Sequence, residues 1–88
     1  MAGKPRQPEQ PRANDRQVGG IHYSVGAIQH WDFAIAQGWG YAYLAGQITK
    51  YVTRAPNKNG LEDLRKARHF LDKLIESAEE GLIDEITP

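Results

Sequence analysis

The stretch GQITKYVTRAPNKNGLEDLRKA, residues 46–67, decides how this chain folds. Ile48, Tyr51, Val52 and Ala55 continue an apolar series begun by Leu44 at spacings of three and four, the period of one helix face. Pro56 ends that helix, because proline lacks the N–H and clashes with the preceding turn. Asn59 then stands as an N-cap with Glu62 at the third helical position, a capping-box-like pair. A second series follows at the same period: Leu64, Ala67, Leu71, Leu74, Ile75 and Ala78, with Gly81 capping its end. Two helices joined by so short a turn make an αα-hairpin.

Upstream, Ile28, Trp31 and Ile35 recur at three and four, which predicts a short helix over 28–37 with Gly38 at its C-terminal cap. The hairpin's first helix then covers 40–54. The expected fold is all-α, a short N-terminal helix laid across an αα-hairpin. Three short helices bury little. Tyr41, Tyr43 and Tyr51 also give the 40–54 helix apolar surface on more than one side, and a homo-oligomer would cover it.

The chain divides into an arm over 1–20, a helical domain over 21–81 and a tail over 82–88. In the arm, Pro5, Pro8 and Pro11 fall three apart and Gly19-Gly20 closes the segment. Such a stretch cannot bury enough apolar surface to fold alone, so it is expected as a flexible tail or as an arm ordered on another subunit. In that second role it serves assembly more than folding.

At 88 residues the chain holds one small domain. With formal charge zero it is a poor match to a bulk nucleic-acid binder that neutralises many phosphates. The charge is unevenly placed, however: residues 1–20 carry +2, 21–60 carry +2 and 61–88 carry −4. Any anion site must therefore be local. Without cysteine there is neither a disulfide framework nor a thiolate metal site. No apolar run approaches the ~20 residues of a membrane span, and no signal-peptide core follows Met1. The expectation is a soluble cytoplasmic protein with no membrane partner.

Lys50, Arg54 and Lys58 are spaced by four, and Asp32 is the one acid between Gly20 and Gly60. Lys50 and Arg54 share a helix face, with Gln47 on it one turn earlier as an amide donor. Two cations at that spacing repel unless something anionic sits between them. The anion is either internal, Asp63 or Glu62 pairing with Arg54, or a phosphate gripped by the planar guanidinium fork. Spacing leaves both open. His22 and Tyr23 follow the glycine pair, where an imidazole can donate to phosphate and a phenol ring can stack on a base; a packed pair at the helix entry is the plainer reading. Trp31 and Trp39 read as core or interface.

Familiar chemistry is missing. There is no GxxxxGK[ST] loop and no GxGxxG. His22, His30 and His69 lack metal-ligand spacing. Glu76, Glu79, Glu80, Asp84 and Glu85 resemble the helical E-x-x-E that holds magnesium in all-helical nucleotide pyrophosphatases. That site wants a second acidic pair on a facing helix, and 40–54 contains no acid. These acids read as a solvated face, and no cofactor, metal or nucleophile arrangement is expected.

Taken in order, His22-Tyr23, IQHWD, AQGWG, GQITKYVTRA, Lys58-Asn59-Gly60 and LEDLRKARHFLDKLI resemble the small phage SaV-like domain over residues 21–75. That domain also occurs in the phage nucleotide kinase that lacks a P-loop. The resemblance implies nucleotide-phosphate binding, with His22, Tyr23, Lys50, Arg54 and Lys58 as candidate phosphate and base contacts. Asp63 and Lys66 would order them or join the site. The kinase's further catalytic region has no counterpart in this sequence, and phosphoryl transfer needs two nucleotides held in line. The leading expectation is a phage homo-oligomer that binds a small phosphate-bearing nucleotide between subunits without altering it. One use of such a protein is sequestering a nucleotide-derived immune signal of the host. A P-loop-free nucleoside monophosphate kinase is the alternative, and a protein–protein inhibitor of a host factor is a third class.

Overall fold

The computed structural model describes residues 12–15 and 29–87. Among them the fold is all-α: α1 over His30–Ala36, α2 over Gly40–Arg54 and α3 over Leu61–Glu79, with short 3-10 turns at Ala13–Asp15 and Ala55–Asn57. α2 has the predicted bounds, and Pro56 sits in the 3-10 turn that ends it. α2 and α3 form the αα-hairpin, with α1 against α2 and the Ala13–Asp15 turn against α3. No helix among the described residues is long and apolar enough to cross a membrane.

α1 is shorter than its apolar series suggested. Ile28 lies outside the described residues, and Gln29 is still extended, with no side chain capping the first turn. At the other end Gly38 takes φ 84°, a left-handed conformation that costs a glycine little. The reversal lets Trp39 N–H reach the Ala34 carbonyl at 2.9 Å and Gly38 N–H reach that of Ile35 at 3.0 Å, satisfying the last carbonyls. After α3, Leu82 N–H closes on the Ser77 carbonyl in the same way, at 2.9 Å.

The core gathers Ala13, Trp31 and Leu44, with Ile35, Tyr43, Phe70 and Leu74 packed against them. The Trp31 and Phe70 rings meet edge to face at 5.6 Å, a favoured arrangement of aromatic quadrupoles. Gly40 begins α2 where that helix crosses α1. A Cβ there would lie 2.9 Å from Ile35 Cγ1 and 3.0 Å from Ile83 Cδ1. Gly40→Ala is therefore expected to cost about 1–2 kcal/mol through overpacking, despite the gain in helix propensity. Urea denaturation should show a lower midpoint at unchanged m-value.

Two sequence expectations need correction. The predicted stripe of α3 is split: Ala67 and Ala78 are buried and Leu74 is partly so, while Leu64, Leu71 and Ile75 are 42–45% exposed. Asp63, Lys73, Glu76 and Ser77 are buried instead. For Lys73 and Glu76 the reason is the arm. Residues 12–15 lie on their own chain, covering the side of α3 that carries Lys73 and Glu76.

Ala13 is fully buried, and its N–H donates to Glu76 Oε2 at 2.9 Å. Arg12 binds Glu80 at 2.6 Å and approaches Glu76 at 3.7 Å. Asn14 donates to Asp32 Oδ2 at 2.9 Å, while Lys73 pairs with Asp32 Oδ1 at 2.8 Å. Glu76 thus belongs to an internal clasp and not to a solvated acidic face. The rest of the arm, including Pro5, Pro8, Pro11 and Gly19-Gly20, lies outside the described residues.

Candidate functional site

Tyr51 lies on α2 where that helix faces the first half of α3. Its ring stacks on Phe70 of α3, with centroids 5.8 Å apart and planes at 12°. Three cations stand around the same ring: Lys50 Nζ at 4.6 Å from the centroid, Arg54 Cζ at 4.9 Å and Lys66 Nζ at 5.5 Å. Each is within the ~6 Å at which the electron-rich face of an aromatic ring attracts a cation. Lys50 and Arg54 come from successive turns of α2, and Lys66 arrives across the hairpin.

Arg54 is fixed by Asp63. Nε donates to Oδ2 at 3.1 Å and Nη2 to Oδ1 at 3.3 Å. The Asp63 side chain is fully buried, while that of Arg54 is 35% exposed. Asn59 adds its backbone N–H at 3.2 Å and its side-chain amide at 3.5 Å. The Arg54 hydrogen bond holds the Asp63 carboxyl below its ordinary range, against the opposing effect of burial and with help from Asn59. The same bond raises the Arg54 guanidinium further above its already high value.

The turn makes this arrangement possible. Gly60 occupies the position before α3 with φ 56° and ψ −122°, a conformation that disfavours any side chain. The helix therefore starts one residue later than an Asn59 cap would set it, and its third residue is Asp63. The expected Asn59–Glu62 capping pair does not form. Asp63 reaches back to the Asn59 N–H instead, and Glu62 pairs with Lys66 at 3.5 Å, one helical turn on.

Of the two partners the spacing left open for Arg54, the internal one is present, and it occupies the guanidinium's Nε–Nη2 fork. A bidentate phosphate grip by that fork is not available while Asp63 holds it. Lys50, Arg54 and Lys66 of the candidate set are brought together, with Asp63 holding Arg54 and Glu62 holding Lys66. Lys58 is exposed on the turn, and Gln47 is half-buried on α2. Neither side chain has a hydrogen bond or ion pair among the described residues. His22 and Tyr23 lie outside the described residues.

The residue that sequence reading missed is Tyr51. It fitted the apolar stripe of α2, and only the pairing of the hairpin brings Lys66 to the same ring. Among the described residues no group of three His, Asp or Glu could hold a metal ion.

Chemically, the cluster is a rigid platform with surplus positive charge. Asp63 and Glu62 offset Arg54 and Lys66, while Lys50 has no carboxylate partner among the described residues. It can receive an anion beside an aromatic edge.

No curated protein and no solved structure matches the chain. A family model does, over residues 19–72, a span that takes in the whole Tyr51 cluster and leaves out the Arg12–Glu76 clasp. That span is more than half of the chain, which therefore belongs to the family described as protein of unknown function (DUF3310).

Proposed function

We propose that this is a phage protein that binds a small phosphate-bearing nucleotide at the Tyr51 cluster, within a homo-oligomer, and leaves it chemically unchanged. The observation that carries the reading is the gathering of Lys50, Arg54 and Lys66 within 5.5 Å of one ring centroid. Holding three like charges there is unfavourable unless anions compensate them, and the two internal carboxylates leave one charge over. A phosphate supplies that charge. Lys50 is the most exposed of the three and contacts it first. Lys50 is exposed at the edge of the cluster, so enclosing a ligand there calls for a second subunit over it. In a phage such a protein would serve to sequester a nucleotide-derived immune signal of the host.

The test is titration calorimetry with linear and cyclic nucleotides, alongside mass spectrometry of any small molecule released on denaturation. Binding is expected, weakening as salt is added because the contact is ionic. Lys50→Ala should weaken it roughly tenfold, the usual effect of losing a charged hydrogen bond, without moving the melting temperature. Conversion of ATP and a nucleoside monophosphate would favour the kinase reading over simple binding. Absence of binding to every nucleotide would overturn both.

A further inference from the structure

The guanidinium of Arg54 has two edges that can each hold an anion, and Asp63 takes one of them. Nε and Nη2 donate to the two carboxylate oxygens at 3.1 and 3.3 Å. Arginine carries its N–H donors in a rigid planar fork, so the hydrogens of Nη1 and the second hydrogen of Nη2 remain. Nη1 makes no hydrogen bond among the described residues. The Asp63 side chain is fully buried and that of Arg54 is 35% exposed, which leaves the Nη1–Nη2 edge as the one a ligand can reach.

The charges around Tyr51 are then unevenly matched. Asp63 neutralises Arg54. Lys66 has Glu62 at 3.5 Å, but that carboxylate is 49% exposed and only one helical turn away. Exposed pairs of this kind are weak and exchange readily for a better anion. Lys50 has no carboxylate partner among the described residues. Two ammonium charges therefore stand available beside one guanidinium edge, all three groups within 5.5 Å of the Tyr51 ring centroid.

We infer that this cluster selects a terminal phosphate, whether a phosphomonoester or the end of a pyrophosphate chain, over a phosphodiester. The inference rests on the nucleotide reading and names the chemical class of its ligand. A terminal phosphate carries close to two negative charges at neutral pH and presents three oxygens. Two ammoniums match the two charges. The Nη1–Nη2 edge takes two of the oxygens and leaves the third to a lysine. A diester has one charge and two free oxygens, so one ammonium stays uncompensated. Asp63 touches no ligand in this arrangement. It is a positioning residue, which fixes the guanidinium plane and with it the direction of the open edge.

Calorimetry with matched pairs tests this: the 5′-monophosphate and the 3′,5′-cyclic monophosphate of adenosine, guanosine, cytidine and uridine. Inorganic pyrophosphate serves as a base-free probe. For whichever base binds, the monophosphate is expected to bind roughly tenfold tighter or more than its cyclic partner at neutral pH. That ratio should shrink as pH falls to about 5, because a terminal phosphate takes up its second proton near pH 6. Lys50, Arg54, Lys66, Asp63 and Glu62, the charged groups that face the site, are common to both members of a pair. The cyclic compound keeps its charge over this interval and so reports any titration of the protein. Arg54→Lys keeps the positive charge but loses the open edge, and should reduce the ratio to about threefold or less. Equal affinities within a pair, or a tighter cyclic compound, overturn the inference and leave the nucleotide reading standing. A ratio that does not move with pH, or that survives Arg54→Lys, overturns it as well. Binding of pyrophosphate without any nucleotide does the reverse, sinking the nucleotide reading and keeping the terminal-phosphate site. If neither pyrophosphate nor any nucleotide binds, both are wrong.

Discussion

Arg54→Ala is expected to lower the melting temperature by on the order of 10 °C at neutral pH, because it strands a buried carboxylate. Asp63 is fully buried, and Asn59 would be its remaining donor among the described residues. The reverse deletion is milder: Asp63→Asn leaves Arg54, already 35% exposed, free to turn to water. The two substitutions break the same ion pair, yet the first should cost more. Thermal melts of both variants check this, and equal losses would contradict the burial argument. Arg54→Lys should recover only part of the loss, since one ammonium cannot reproduce the parallel Nε and Nη2 bonds.

The pH dependence carries the same signature. Asp63's carboxyl is held below its ordinary value of 3.8, so the pair's stabilisation is fully present above that value. It is lost as pH falls through the lower, folded-state value, where the native carboxylate takes up its proton. In Arg54→Ala the buried carboxyl loses its cation and its pKa should move up instead. Acid then relieves the variant by neutralising the stranded charge. The gap between wild type and variant should thus be widest near neutrality and narrow below about pH 4. At the ligand, Arg54→Ala should weaken nucleotide binding roughly ten- to a hundredfold through the lost charge and the disturbed cluster. Lys50→Ala separates these causes, since Lys50 has no ion pair to lose among the described residues.

The legible parts of this fold were those set by local chemistry. α2 could be bounded because Gly38 reverses the chain before it and Pro56 stops it, and neither effect depends on a distant residue. α3 was recognisable as a helix, but periodicity alone does not say which neighbours cover which side. Leu64, Leu71 and Ile75 looked like core, yet they lie opposite no other described element. Lys73 and Glu76 looked like surface until residues 12–15 covered them. That contact spans more than sixty positions along the chain, and nothing in the spacing of the acids announces it. The candidate site shows the same division. Lys50 and Arg54 on one face followed from the helix period, while the role of Tyr51 and the arrival of Lys66 required the pairing of the two helices. The choice of Asp63 over Glu62 as partner to Arg54 turned on Gly60, whose backbone conformation shifts the start of α3 by one residue.

Deleting residues 1–15 is expected to destabilise the monomeric fold itself, by about 2–4 kcal/mol, the scale of a buried charge losing its hydrogen-bond donor. The sequence suggested an arm that serves assembly, with helicity surviving its removal. The structure places its inner end in the core. Removing it opens the Trp31–Leu44 contact where Ala13 is buried and takes the backbone donor from Glu76 Oε2. It also strips Arg12 from Glu76 and Glu80, and Asn14 from Asp32. For a domain of this size the loss corresponds to a fall in melting temperature on the order of 10–20 °C. Deleting only residues 1–11 retains every one of these contacts and should leave most of that stability in place. Circular dichroism melts of the two truncations at several protein concentrations make the comparison, because a loss that arises through assembly shrinks with dilution, as the assembling chain itself dissociates, and an intramolecular one does not. Glu76→Gln refines it: the amide oxygen can still accept the Ala13 N–H, so this variant should lose much less than the deletion. Coincident melts for the two truncations would mean that the Ala13 clasp contributes little. A Glu76→Gln loss as large as the deletion would instead assign the stabilisation to the Glu76 charge rather than to the docked backbone.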